Sequence, residues 1–447
     1  MSISAKERHL SATRKKSRRY THDVLRATIE SETDDCKRLP YLLHKQCEER
    51  NAPAYPEVHA YMIKEDGQVV LVDNAPTIRK SIIPLDSNLV IYAYSNLNLK
   101  LRALDFRCFR IMDPRLFFAI IQTMPHFPDL FSLQLDYCNL TSEHILILKQ
   151  HLSRQKTLSE LNLTGNPHGH RSFHRLLRCG LKVLILKFCN IAEKGLRKMA
   201  SEYLNHPYEP PGLLHLDLSH NPVFDEGCKY IASILKCDRT LRSLNLTDCK
   251  IRDSGLELIA LSFRTFALSD DEICVRRKIR LDYFRLLQET PFSDEPNATK
   301  PEATLANPKD SFSLVETTVK IHPFVNETVQ ENGEILVKGN CTLEHLNISY
   351  NQLSKSSLDL LLKTVMEQAG TLEALQQLVL EGNCRNDPEC DSLKITIQEW
   401  LAGRKTRSRS LPGSVKSKSS LKRRRSSGAT STTSGLSSRD KHSSIHA

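Results

Sequence analysis

The sequence predicts an α/β solenoid, with short parallel strands along a concave side and helices along a convex side, and three observations carry that prediction. An apolar frame, LxxLxLxxCxI in its copy at Leu241, Leu244, Leu246, Cys249 and Ile251, occurs eight times in 447 residues. Copies start 29, 28, 23, 32 and 28 residues apart up to Leu241, a period with room for a helix after each strand. Apolar residues at helical spacing follow the frame, as in "EGCKYIASIL" and "GLELIALSF".

Taken in order, the copies begin at Leu101, Leu130, Leu158, Leu181, Leu213, Leu241, Leu343 and Leu375. In each short strand the two residues of LxL enter the core, and their neighbours face solvent. One buried leucine contributes about 1.5 to 3 kcal/mol, so a single repeat does not offset its own ordering entropy and only a stack is stable. Position nine holds Cys138, Asn166, Cys189, Asn221, Cys249, Asn351 or Asn383, small polar groups able to satisfy turn amides. Gly195, Gly227 and Gly255 suit a tight turn into the convex helix. The pattern resembles the ribonuclease-inhibitor-like class of leucine-rich repeats, which implies a horseshoe.

The seventh copy starts 102 residues after the sixth, so an insertion of about seventy residues splits the repeats. "SDDE", from Ser269 to Glu272, is a capping box that opens a long helix. A proline-bearing linker follows, and then Asn332-Gly333 between two β-rich runs, which signals a hairpin. The expected division is a disordered basic N-terminus (1–20), a capping region (21–100), six repeats (101–268), a long helix (269–290), a flexible linker (291–320), a hairpin (321–341), two repeats with a C-terminal cap (342–402) and a disordered tail (403–447).

These junctions carry a narrower resemblance. "RTFALSDDEICVRRKIRL" at 264–281, "HPFVNETVQENGEILVKGN" at 322–340 and "LVLEGNCRNDPECDSLKITIQEW" at 378–400 make residues 85 to 402 similar to the leucine-rich repeat-containing protein 71 family. That resemblance implies a non-enzymatic component associated with motile cilia and the axonemal cytoskeleton, with no catalytic or cofactor residues. The sequence departs from the family in its shorter, less lysine-rich linker and in its serine-rich tail.

Charge is segregated. The formal net charge is +11, yet residues 20 to 402 hold 44 basic and 50 acidic residues. The excess lies in the first 19 residues and in 403–447, whose 14 serines and clustered bases form no core. Lys422, Arg423, Arg424 and Arg425 precede Ser426, a candidate phosphorylation site, and the tail offers contact with a polyanion such as tubulin or a nuclear import signal. Thirteen scattered cysteines read as free thiols, and no stretch approaches the ~18 apolar residues of a membrane span, so a cytoplasmic protein without membrane insertion is expected.

No string for phosphate, dinucleotide, zinc-protease or nucleophile-elbow chemistry occurs, so neither an enzyme nor a small-molecule substrate nor a cofactor is expected. His168, His170 and His174 lie close in sequence but lack a second-shell acid for a metal. The candidate surface is the concave face, with Asp105, Arg107, Gln134, Asp136, Glu160, Lys187, His215, Asp217, Asn245, His345 and Asn347 around an apolar anchor of Val183 and Ile185 near Phe188. Such a face suits a protein partner. Regulation of a small GTPase through the repeat surface, or nucleic-acid binding by the tail, are the alternatives.

Overall fold

A computed structural model describes residues 33–53, 55–71, 90–107, 112–153, 157–208, 211–289, 322–368, 375–385 and 387–409. The basic N-terminus, the linker 291–320 and Lys422, Arg423, Arg424, Arg425 and Ser426 lie outside those residues.

The apolar frame becomes eight strands: β4 (Leu101–Arg107), β5 (Ser132–Asp136), β6 (Glu160–Asn162), β7 (Val183–Ile185), β8 (His215–Asp217), β9 (Ser243–Asn245), β13 (His345–Asn347) and β14 (Gln377–Val379). Neighbours in this series pair in parallel, and β9 pairs directly with β13, with Leu244 opposite Leu346. The insertion therefore splits the repeats in sequence while the sheet runs on unbroken. The central strand leucines, Leu104, Leu133, Leu161, Leu184, Leu216, Leu244, Leu346 and Leu378, are all buried in one core that extends from Leu39 to Leu401.

Asparagine ties consecutive coils together. Asn221 Oδ1 accepts the N–H groups of Cys189 and Ile191 while its Nδ2 donates to the carbonyls of Leu186 and Leu218. Asn351 repeats this across the insertion, accepting from Cys249 and Ile251 and donating to Leu246 and Ile348. The cysteines reach the coil before their own: the Sγ atoms of Cys189 and Cys249 lie 3.1 and 3.2 Å from the carbonyl oxygens of Leu163 and Leu218.

The convex layer holds α1 (Asp35–Glu49), α2 (Pro114–Thr123), α3 (Ser142–Leu152), α4 (Glu193–Asn205), α5 (Phe224–Cys237), α6 (Asp253–Leu261), α9 (Lys355–Glu367) and α10 (Pro388–Arg409). The third repeat differs from the helix expected of it. Its short period leaves space only for two 3-10 turns, Pro167–Gly169 and Phe173–Leu176. Gly195, Gly227 and Gly255 act through close packing, since a Cβ at Gly227 would stand 2.7 Å from Leu196 and one at Gly255 2.5 Å from Asp225. The tight turns fall instead at the residue before position nine, where Tyr137, Phe188, His220, Asp248 and Tyr350 hold positive φ.

Within the capping region the sheet continues through β3 (Val90–Ser95), antiparallel to β4, then β1 (Glu57–Ile63), parallel to β3, and the edge strand β2 (Val69–Leu71). Asp34 caps α1 by accepting the Cys36 N–H, and Asp35 accepts the Leu101 N–H, joining that helix to the first repeat.

The insertion forms a second unit on the convex side. The helix α7 (Asp270–Glu289) starts at the Ser269–Glu272 capping box, with Ser269 N–H donating to Glu272 Oε2 at 2.8 Å. It packs against α4 and the short α8 (Pro323–Asn326) rather than closing the stack. Asn332 and Gly333, both at positive φ, turn β11 (Thr328–Glu331) onto β12 (Glu334–Val337), and β10 (Phe266–Ala267) completes a three-stranded sheet. Arg239 pairs with Glu327 at 2.9 Å, and Asn340 Nδ2 donates to the carbonyls of Leu235 and Asp238, so the returning chain is fixed to the end of α5.

Candidate functional site

Strand register lines the outward side chains into two rows across the concave face. One runs Tyr61, Tyr94, Ala103, Ser132, Glu160, Val183, His215, Ser243, His345, Gln377. The other runs His59, Tyr92, Asp105, Gln134, Asn162, Ile185, Asp217, Asn245, Asn347, Val379. The sequence-derived candidates are thus brought together on one face, with Asp136 and Lys187 at its edge.

Two of them do not offer surface. Asp105 is 1% exposed and Asp217 4%. Asp217 Oδ1 accepts from Ser219 N–H and Oγ–H, and Oδ2 accepts from Asn245 Nδ2 at 2.9 Å and pairs with Lys187 at 3.4 Å. Alternation places this side chain outward, but lateral hydrogen bonds cover it. Asn245 and Asn347 turn their carbonyl oxygens to the N–H groups of Thr247 and Ser349. Gln134, Asp136, Glu160, Val183, Ile185, His215 and His345 are half-buried, with His345 Nδ1 3.2 Å from Gln377 Oε1. Burial, with the nearby charge of Lys187, holds His215 below the usual histidine value, although Asp217 opposes this. The Arg107 side chain lies outside the described residues.

Large exposed aromatic groups stand just beyond the strands, and of them the sequence pattern singles out Phe188 alone. Tyr137 (50% exposed), Phe188 (46%) and Tyr350 (51%) project from the positive-φ turns at the carboxyl ends of β5, β7 and β13. Phe188 stacks on His220 at 4.3 Å and 5° between planes, and His220 Nδ1 lies 3.1 Å from Asp248. Tyr137 lies over Gly165 and Tyr350 over Gly382, where a Cβ would meet the rings at 2.2 and 2.5 Å. A second cluster at the other end joins Tyr61 to Tyr94 at 5.6 Å and to Tyr92 at 6.1 Å, with His59 5.9 Å from Tyr92. The readable signal for the rim is an aromatic residue just before position nine; for the second cluster it is "VIYAYS".

Burial pushes the Cys189 and Cys249 thiols up to about 12, which removes them as nucleophiles at neutral pH. His170 Nδ1 is 2.7 Å from the Pro167 carbonyl, and no group of three or more metal-binding side chains assembles among the described residues.

The family profile described as "Leucine Rich repeat" matches residues 212–232, 237–260 and 339–362, the segments that form β8 with α5, β9 with α6, and β13 with α9. The chain contains leucine-rich repeats. Pig (Sus scrofa) ribonuclease inhibitor is 26% identical over 290 residues, 64% of this leucine-rich repeat chain and 51% of that protein. Human (Homo sapiens) NACHT, LRR and PYD domains-containing protein 5 is 30% identical over 138 residues, 29% of the chain and 11% of that protein. The mouse (Mus musculus) protein 4E of the same name series is 33% identical over 129 residues, 28% and 13%. The chain therefore spans about half the length of the first relative and a small part of the others. It has the ribonuclease-inhibitor-like solenoid fold, and no helix among its described residues is long and apolar enough to cross a membrane.

Proposed function

We propose that this leucine-rich repeat chain is a non-catalytic scaffold that holds a protein partner on its concave face and aromatic rim, and that it serves in motile cilia as part of the axonemal cytoskeleton. The carrying observation is the rim itself, since Tyr137, Phe188 and Tyr350 stand about half exposed on turns fixed by the stack. Rigid aromatic side chains at the edge of a preformed surface supply large contact area at little entropic cost. A relative named as an inhibitor of another protein supports docking as the mode of action. The ciliary part rests on the three junction segments. The bases Lys422 to Arg425 add a salt-sensitive contact to a polyanion, which phosphorylation of Ser426 weakens.

Imaging of the tagged chain in cells with motile cilia tests the location: axonemal signal is expected, and a diffuse or purely nuclear signal overturns it. Contact is tested by the triple variant Tyr137→Ala, Phe188→Ala, Tyr350→Ala and by the pair Val183→Asp, Ile185→Asp. Each hot-spot truncation costs about 2 kcal/mol of binding. Axonemal retention should fall at least about 10-fold for the triple variant, with the melting temperature little changed. Full retention by both variants rules out this face.

A further inference from the structure

A cleft of about 320 Å3 lies between α7 and α8, away from the concave face, and is lined by Arg276, Arg280, Tyr283, Phe284 and Val325. Arg276, Arg280, Tyr283 and Phe284 stand at positions i, i+4, i+7 and i+8 of α7, one stripe of the helix. Two cations thus share one hollow with an aromatic wall.

The electrostatics of this hollow are incomplete. Arg276 Nε is buried and meets no hydrogen-bond acceptor among the described residues. No carboxylate lies within ion-pair distance of either arginine among the described residues; the nearby acids are engaged elsewhere, Asp282 with Tyr208 and Arg285, and Glu272 with Lys236. Burial, reinforced by the like charge of Arg280, draws Arg276 below the usual arginine value. Holding two guanidinium groups together without a counter-ion is costly, and a bound anion relieves it.

Charge selects the anion. One carboxylate neutralises one of the two arginines, whereas a phosphate monoester brings about 1.5 to 2 negative charges and three acceptor oxygens for two guanidinium forks. Tyr283, Phe284 (51% exposed) and Val325 then face whatever carries the phosphate. We infer that this cleft binds a phosphorylated side chain of a partner polypeptide, held by Arg276 and Arg280 and flanked by Tyr283 and Phe284. A peptide is favoured over a lipid headgroup because residues 20 to 402, which hold the cleft, are net acidic, and the excess of bases that would draw the chain to an anionic bilayer lies in its two ends.

The test uses the full chain and fluorescein-labelled degenerate peptide pools with a central phosphotyrosine or phosphoserine, each beside its unphosphorylated twin, read by fluorescence anisotropy. At least one phosphorylated pool should bind about 10-fold or more above its twin, and Arg276→Gln or Arg280→Gln should each remove most of that difference. Arg280 is exposed, so Arg280→Gln keeps the test valid if Arg276→Gln disturbs folding. The rim variant Tyr137→Ala, Phe188→Ala, Tyr350→Ala should bind the pools normally, which separates this inference from the concave-face reading. Equal binding of phosphorylated and plain pools, or indifference to both arginine variants, overturns it. So does retention on phosphatidylinositol bisphosphate vesicles without binding of either pool.

Discussion

His322 caps α8 by accepting the Phe324 N–H at Nδ1, 3.2 Å away, and is buried where the insertion rejoins the repeats. Burial first, and the charge of Arg239 second, lower its pKa to about 4. Unfolded, the group titrates near ~6.5. The folded state therefore binds this proton less readily, and the stability that His322 contributes is complete above pH ~6.5 and is lost as pH falls towards 4. The loss reaches about 2 kcal/mol at pH 5. His322→Asn keeps a cap acceptor without the titration. Urea unfolding at pH 7.5 and pH 5 should show the variant losing about 2 kcal/mol less than the parent chain over that interval; equal losses would show that His322 is not the group responsible.

Among elements, the turn after β13 reaches back across the whole insertion. Asn351 satisfies backbone groups of Leu246, Cys249, Ile251 and Ile348 at once, all buried. Asn351→Ala strands several of them, at about 1 to 3 kcal/mol each. We expect a loss of at least about 3 kcal/mol in denaturant unfolding, against under about 1 kcal/mol for Gln352→Ala on the exposed side of the same turn. The strands, the position-nine residues and the Asn332-Gly333 hairpin were legible in the sequence because each follows from local spacing. Buried Asp217 was not, since Ser219 of its own coil and Asn245 and Lys187 of the two neighbouring coils cover it. The rings of Tyr61, Tyr92 and Tyr94 escaped for a related reason: their strands carry no leucine frame and take their place by pairing outward from β4. The clash-free seats of Tyr137 and Tyr350 depend on Gly165 and Gly382, one repeat further on, a relation that spacing within a repeat does not express.

At the scale of the molecule, one sheet and one core cross the insertion, so the blocks before and after it share their folding free energy. Calorimetry of the full chain should give a single main transition, and Asn351→Ala should shift it as a whole; two resolved transitions, with only the later one moved, would mean that β9 and β13 do not couple the blocks. The insertion's own anchors, Arg239 with Glu327 and Asn340 with Leu235 and Asp238, connect to α5, two coils before the point where the repeats resume.

The turn thiols give this stack an internal clock. Cys138, Cys189 and Cys249 are shut inside the second, fourth and sixth coils, while Cys274 is open to solvent. An alkylating reagent should consume Cys274 at once and reach the other three only as their coils part, so the order in which they are labelled reports the direction in which the solenoid frays.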